Sequence, residues 1–333
     1  MQLRARLMKS VLVLCLLTST HFACAGPLVD FVRSFDFLVP NSVEQLAYSD
    51  TDIQSLWNAI SGLRLQTTFR RRQVTDDSRT FSLIYSRKIA GAPIIIIADN
   101  PDRDIILEAP HPVKDRATGI QTAHLLIALG ARAAIISGNN RCAARTLSSC
   151  SGKTRVCGGG RRPYPTSDPA HNTESLFHQA HIMLAKHWPN AKIVQFHGYR
   201  QRDSDTLFVL SDGTRERRGP DNGFSGKVRD QIRLSTGGSA VAVSCQDPTD
   251  GRFSYRPLCA RTNVQGRHLN GSVDHCRSDA TASTGRFLHI EQQYQVREAI
   301  VDDPQTALQS TEHGALFHAL VTESRCLKSS CRY

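Results

Sequence analysis

Apolar positions along this chain fall alternately into short continuous runs and longer periodic stretches. Residues 80–85 (TFSLIY) and 93–98 (PIIIIA) are β-branched-rich runs separated by Gly91, a pattern that predicts a hairpin of buried strands. Ahead of them, Ile53, Leu56, Trp57 and Ile60 recur at helical spacing behind Ser49-Asp50-Thr51 as a cap, with Gly62 as the stop. From residue 104 onward strand and helix alternate. Strands are expected at 104–108, 133–137, 192–196, 207–210, 240–244 and 286–292. Helices are expected at 119–129 (ended by Gly130), 173–187, 226–234 and 304–322, with a long Cys-, Gly- and Arg-rich loop from 139 to about 169. The alternation predicts an α/β fold, a three-layer sandwich with a mixed, mostly parallel central sheet whose antiparallel part comes from the early hairpin. No Pro/Ser/Gly-rich linker interrupts it, so residues 66–333 are expected to form a single domain behind an N-terminal helical segment, 26–65.

The first 25 residues stand apart from this pattern. Arg4, Arg6 and Lys9 precede the apolar run 11–17, and Ala23-Cys24-Ala25 follows, which reads as a secretory signal peptide with a small-x-small cleavage site. The run is too short for a spanning helix of about 20 residues. Removing these residues takes away three positive charges and no negative ones, so the net charge of +11 falls to +8. Cys142, Cys150, Cys157, Cys245, Cys259, Cys276, Cys326 and Cys331 remain, an even set that behind an export signal reads as disulfides. Proximity favours Cys326–Cys331 and then Cys245–Cys259. The spacing of Cys142, Cys150 and Cys157 is wider than that of structural zinc knots. The expected compartment is periplasmic or secreted, with no membrane span once the signal is removed.

In open α/β sheets ligands bind at the carboxyl ends of strands. Four strand ends here carry polar residues: Glu108 with His111, then Arg141, then His197, and Glu291 within the last strand. Zinc hydrolases need three ligands from His, Asp and Glu, an open position for water, and a nearby carboxylate as base. Glu108 and His111 would supply two ligands from a turn stiffened by Pro110 and Pro112, and His197 the third. Glu291 would be the base, and Arg141 would bind a substrate carboxylate. A carboxylate inside an apolar strand is costly unless paired or metal-bound, and Arg297 or Arg116 is the alternative partner for Glu108 and Glu291.

This layout resembles the zinc carboxypeptidases and their amidohydrolase relatives, the succinylglutamate desuccinylase and N-formylglutamate amidohydrolase types. The resemblance rests on an acid–histidine pair after one strand, on Gln195-Phe196-His197-Gly198 at the end of a later one, and on Glu291 in Phe287-Leu-His-Ile-Glu291-Gln. It implies a carboxypeptidase-like fold, a Zn²⁺ cofactor and amide hydrolysis. It departs from the family in reading E-x-x-H instead of H-x-x-E, which leaves the carboxylate ligand as either Glu108 or Asp115.

Asp168 and His171, in the long loop ahead of a helix bearing His178 and His181, are expected to wall the site and touch substrate. Asn263 and Arg267, in a polar stretch before the last strand, would orient its anionic group. No P-loop, G-x-S-x-G elbow or H-E-x-x-H helix is present. The basic clusters at Arg70–Arg72, Arg161–Arg162 and 215–218 lack interleaved aromatics, which argues against nucleic acid and leaves weak attraction to anionic envelope polymers. The leading expectation is an exported zinc-dependent amidohydrolase or peptidase acting on a small peptide or amide near an anionic group. The alternatives are an exported, non-enzymatic binding protein for anionic envelope ligands, and a metal-free hydrolase pairing Glu108 with Glu291.

Overall fold

Successive side chains of a strand point to opposite faces, so an uninterrupted apolar run needs cover on both. The computed structural model describes residues 26–35, 48–63, 68–200, 205–216, 222–238, 241–250, 256–329 and 331. The expected signal peptide and part of the basic cluster at 215–218 lie outside them. In chain order the helices α1 (Pro27–Arg33) and α2 (Asp50–Ile60) lead into strands β1 (Arg70–Asp76), β2 (Arg79–Tyr85), β3 (Ile94–Ala98) and β4 (Arg103–Ala109). Then come α3 (Thr118–Leu129), β5 (Ala131–Ile136), α4 (Leu176–His187), β6 (Lys192–Gly198), β7 (Phe208–Ser211), α5 (Phe224–Thr236) and β8 (Ala242–Ser244). The chain closes with α6 (Val264–Leu269), β9 (Phe287–Gln292), α7 (Tyr294–Asp302), α8 (Pro304–Gln309) and α9 (Ala315–Glu323).

The strands form one mixed sheet in the order β1-β2-β3-β5-β4-β6-β9-β7-β8. Its centre, β5-β4-β6-β9, is parallel, while β1, β2 and β3 run as an antiparallel meander and β7 pairs antiparallel with β9. Alternation along the isoleucine run places Ile94 and Ile96 in one core with Leu28, Val32, Leu126, Val228 and Leu316, from α1, α3, α5 and α9. Ile95 faces the other core, with Leu56, Phe177, Leu184 and Leu269 from α2, α4 and α6. The predicted α/β sandwich is thus observed, with helices on both faces. No helix of the described residues is long and apolar enough to cross a membrane.

Several elements depart from the expected pattern, among them α7, for which no helix was expected. β1 (RRRQVTD) has no apolar alternation, because it is the sheet edge; charged side chains there discourage further strand pairing. The expected closing helix, 304–322, is broken into α8 and α9, and a Cβ on Gly314 at the break would lie 2.4 Å from the Leu308 carbonyl oxygen. The polar stretch around Asn263 forms α6, whose residues are largely buried. Disulfides join Cys326–Cys331 and Cys245–Cys259 as proximity suggested, and also Cys142–Cys157 and Cys150–Cys276. The last two secure the long loop after β5.

Candidate active site

Register across the parallel centre builds the site in rows. Ile106 of β4, Ile193 of β6 and Phe287 of β9 align as an apolar row on the face covered by α4 and α6. Two residues further on, Glu108, Gln195 and His289 align as a polar row on the same face. The next row sets His197 beside Glu291. The face therefore changes from apolar to polar toward the carboxyl ends, where the turn after β4 adds His111 and Asp115. A backbone hydrogen bond from Asp115 N–H to the His111 carbonyl (2.8 Å) closes that turn, placing the two side chains together at i and i+4.

His111, Asp115 and His197 converge. His111 Nδ1 lies 3.2 Å from Asp115 Oδ2 and 3.2 Å from His197 Nδ1, and His197 Nδ1 lies 3.3 Å from the same oxygen. All three residues are buried. The hydrogen-bond network fixes what these atoms offer. Gly266 N–H donates to Asn263 Oδ1, so the Asn263 amide nitrogen donates to Gln195 Oε1. Gln195 Oε1, an acceptor 2.8 Å from His197 Nε2, then requires the ring proton on Nε2 and leaves Nδ1 a lone pair. In the same way Asp168 Oδ1, 2.8 Å from His111 Nε2, accepts a hydrogen bond from the N–H at that atom, which leaves His111 Nδ1 as the other ring nitrogen. Two imidazole lone pairs and a carboxylate oxygen thus face one another. Either one proton on His111 Nδ1 or a metal ion satisfies them.

The spacing suits zinc. Bonds of about 2.0–2.1 Å in a tetrahedron put ligand atoms about 3.3 Å apart, which matches the three edges found here. The outer contacts suit it as well, since metal-binding histidines characteristically donate their other ring N–H to a carboxylate or carbonyl. Burial and the Arg141 charge lower the His111 pKa, but Asp168 and Asp115 outweigh them and raise it. Burial works to raise the Asp115 pKa, yet the hydrogen bond with His111 holds it well below the usual carboxylate range. Burial, reinforced by His289, keeps His197 neutral.

Glu108 stands elsewhere than expected. It lies inside β4, fully buried, with Oε1 2.7 Å from His181 Nδ1 and Oε2 accepting from Gln195 Nε2 at 2.8 Å. Both oxygens are thereby occupied, so it neither joins His111 and His197 nor pairs with Glu291, and Asp115 takes the carboxylate position. Glu108 instead anchors Gln195, which orients His197. Glu291 does lie at the cluster's edge: a carboxylate oxygen of Glu291 and ring nitrogens of His197 and His289 are all within 4.8 Å of one another. His289, two residues before Glu291 and on the same strand face, was not singled out from the sequence, although its alternation with Phe287 and Glu291 carried the signal.

The residues expected to contact substrate mostly support the cluster. Asp168 is completely buried, with Oδ2 accepting from Arg141 Nε (2.9 Å) and from a terminal Arg141 nitrogen (2.6 Å). Against burial, Arg141 and His111 hold the Asp168 pKa far below its ordinary value. His171 stacks on Tyr164 at 3.5 Å, and burial drives its pKa down to about 3, so it is neutral. Asn263 spends both ends of its amide on Gly266 and Gln195. Arg267, 1% exposed, pairs with Asp279 and donates to the Arg261 and Cys276 carbonyls, so its guanidinium is bound up in the framework. His178 and His181 are buried beside His268 and His275 and do not join the His111 cluster.

No family model matches the chain. No curated protein matches it either. Among solved structures, it is similar to a metallo-carboxypeptidase from Burkholderia cenocepacia over 77% of each chain, at 8% identity and a TM-score of 0.35. A likeness that slight carries no argument about activity. The chemistry must be read from the side chains, and these form a buried His–Asp–His cluster at the strand ends of an α/β sandwich.

Proposed function

We propose that this chain is an exported, zinc-dependent amidohydrolase or peptidase acting on an amide bond near an anionic group. One observation carries the reading: the triangle of His111 Nδ1, His197 Nδ1 and Asp115 Oδ2, with edges of 3.2, 3.2 and 3.3 Å and every other polar atom of the two imidazoles already bonded. These three residues would hold Zn²⁺, which when bound acts as a Lewis acid toward a carbonyl and lowers the pKa of water. Asp168, held by Arg141, and Gln195, held by Glu108 and Asn263, fix the tautomers and directions of the two rings. Glu291 would take a proton from the attacking water and return it to the departing amine. The four disulfides fit the expected export into an oxidising compartment.

The test is turnover of a panel of N-acyl amino acids and dipeptides by the purified, zinc-loaded chain. Glu291→Gln is expected to retain its metal while losing at least a hundredfold in kcat, within the range for removing a general base. Turnover unaffected by chelation, or by Glu291→Gln, contradicts the proposal. Absence of turnover together with tight carboxylate binding would favour the exported binding protein instead.

A further inference from the structure

The residues expected to receive the substrate's anionic group are otherwise engaged, while a different cation has no ion-pair partner among the described residues. Arg297, on α7 directly after β9, is 4% exposed. Its Nε donates to the Gln293 carbonyl at 3.4 Å and one terminal nitrogen donates to the Arg116 carbonyl. No carboxylate oxygen of the described residues comes within 4.0 Å of it. Its other terminal nitrogen bonds to no protein atom, yet it is not among the sealed, unsatisfied polar atoms and so reaches solvent. Asp115, Glu291 and Glu298 are the acids whose fields act on it, and its contact with Gly198, the residue after His197, sets it beside the candidate centre.

The chain makes specific room for this group. Gly198 follows His197 at the end of β6, and a Cβ there would lie 2.4 Å from Arg297 Cζ and 2.5 Å from both terminal nitrogens. Near-equal distances of that kind mean that the guanidinium presents its flat face to Gly198. Its other packing partner is the Tyr294 ring, with the centroid 5.4 Å away. A buried guanidinium without a paired anion is costly, and an anionic ligand relieves that cost. Arg267 cannot serve, being spent on Asp279, and Arg141 is spent on Asp168. A divalent ion on Asp115 would use that carboxylate's charge and leave Arg297 still less compensated.

We propose that Arg297, seated on Gly198, is the receptor for a substrate carboxylate and therefore sets the specificity of the site. This rests on the proposed amide hydrolysis only for its meaning, since the binding itself requires no metal. The probes are N-acetylglycine and its neutral counterpart N-acetylglycinamide, titrated by NMR into the disulfide-intact chain, metal-free and zinc-loaded. The unmutated protein is expected to favour the acid by about ten- to hundredfold, the range of a charge-assisted hydrogen bond. Arg297→Gln should abolish that preference in both metal states without changing affinity for the amide. Arg297→Lys, which keeps a charge but loses the planar fork, should lose at least threefold. The inference is overturned if the unmutated protein shows no preference or if Arg297→Lys loses none. It is equally overturned if a folded Arg297→Gln keeps the preference while Arg141→Gln removes it. Zinc content measured on the same samples keeps the outcome separate from that of the metal assignment, because the metal-free arm reads Arg297 alone.

Discussion

Replacing Asp168 by Asn isolates the ion pair that supports the candidate centre. Asn keeps the shape of the side chain and a carbonyl that accepts from His111 Nε2, but it removes the charge opposite Arg141. That pair is deeply buried, with side-chain exposures of 10% for Arg141 and 0% for Asp168, and its closest contact is 2.6 Å. Removing one partner of such a pair leaves an uncompensated charge and costs about 3–5 kcal/mol. For a chain of this size the midpoint of thermal unfolding should fall by on the order of 10 °C. Calorimetry of the metal-free, disulfide-intact protein measures it. Arg141→Met in the Asp168→Asn background should recover most of the loss, since the stranded charge has gone. Zinc affinity should behave differently: it falls about ten- to hundredfold in Asp168→Asn and stays low in the double variant, because an amide oxygen polarises the imidazole less than a carboxylate does. A loss of stability below about 1 kcal/mol in the single variant, or no recovery in the double, refutes the reasoning.

Two further outcomes follow from groups away from the centre. His124, on α3, has a buried and unsatisfied Nε2, and burial with the Arg33 charge pushes its pKa down to about 4. The unfolded chain gains its proton near 6.5 and the folded chain only near 4, so stability falls as pH drops through that window, by up to about 3 kcal/mol. Denaturant titrations of His124→Leu should show a correspondingly flatter profile between pH 7 and 4, and an unchanged slope would count against this assignment. The disulfide Cys150–Cys276 links positions 126 residues apart. Chain-entropy arguments give about 5 kcal/mol for a loop of that length, so Cys150→Ser/Cys276→Ser should unfold at markedly lower denaturant, and an equal midpoint would contradict it.

The parts of this structure that were legible in the sequence are those set by local periodicity. The isoleucine run, the Gly130 stop and the Ser49 cap each act within a few residues, and each appears where the pattern placed it. His111 and His197 were legible because polar residues at the ends of apolar strands are conspicuous. Asp115 was harder to assign. Whether Glu108 or Asp115 meets His111 depends on where β4 stops and on the single turn that follows, a difference of a few residues in chain direction. With β4 running to Ala109, Glu108 faces α4 and finds His181, while the turn carries Asp115 back to His111. Arg267 misled because a polar sequence around Asn263 resembles a surface loop; the Cys150–Cys276 bridge and Asp279 instead draw it inside. From the sequence Arg297 was expected only as an ion-pair partner of Glu108 or Glu291, and it makes neither pair; its setting comes from Gly198 on β6, distant in the chain.

Zinc binding by a small set of variants tests the central assignment most directly. Equilibrium titration of the metal-free chain, with metal content checked by elemental analysis, should give one zinc per chain. His111→Ala, His197→Ala and Asp115→Ala should each lose at least a hundredfold in affinity, as expected when one of three protein ligands is removed. Glu108→Gln should bind with far smaller loss, because that side chain acts only through Gln195. The account is contradicted if Asp115→Ala binds zinc as the unmutated protein does while Glu108→Gln does not, or if the unmutated chain takes up no zinc.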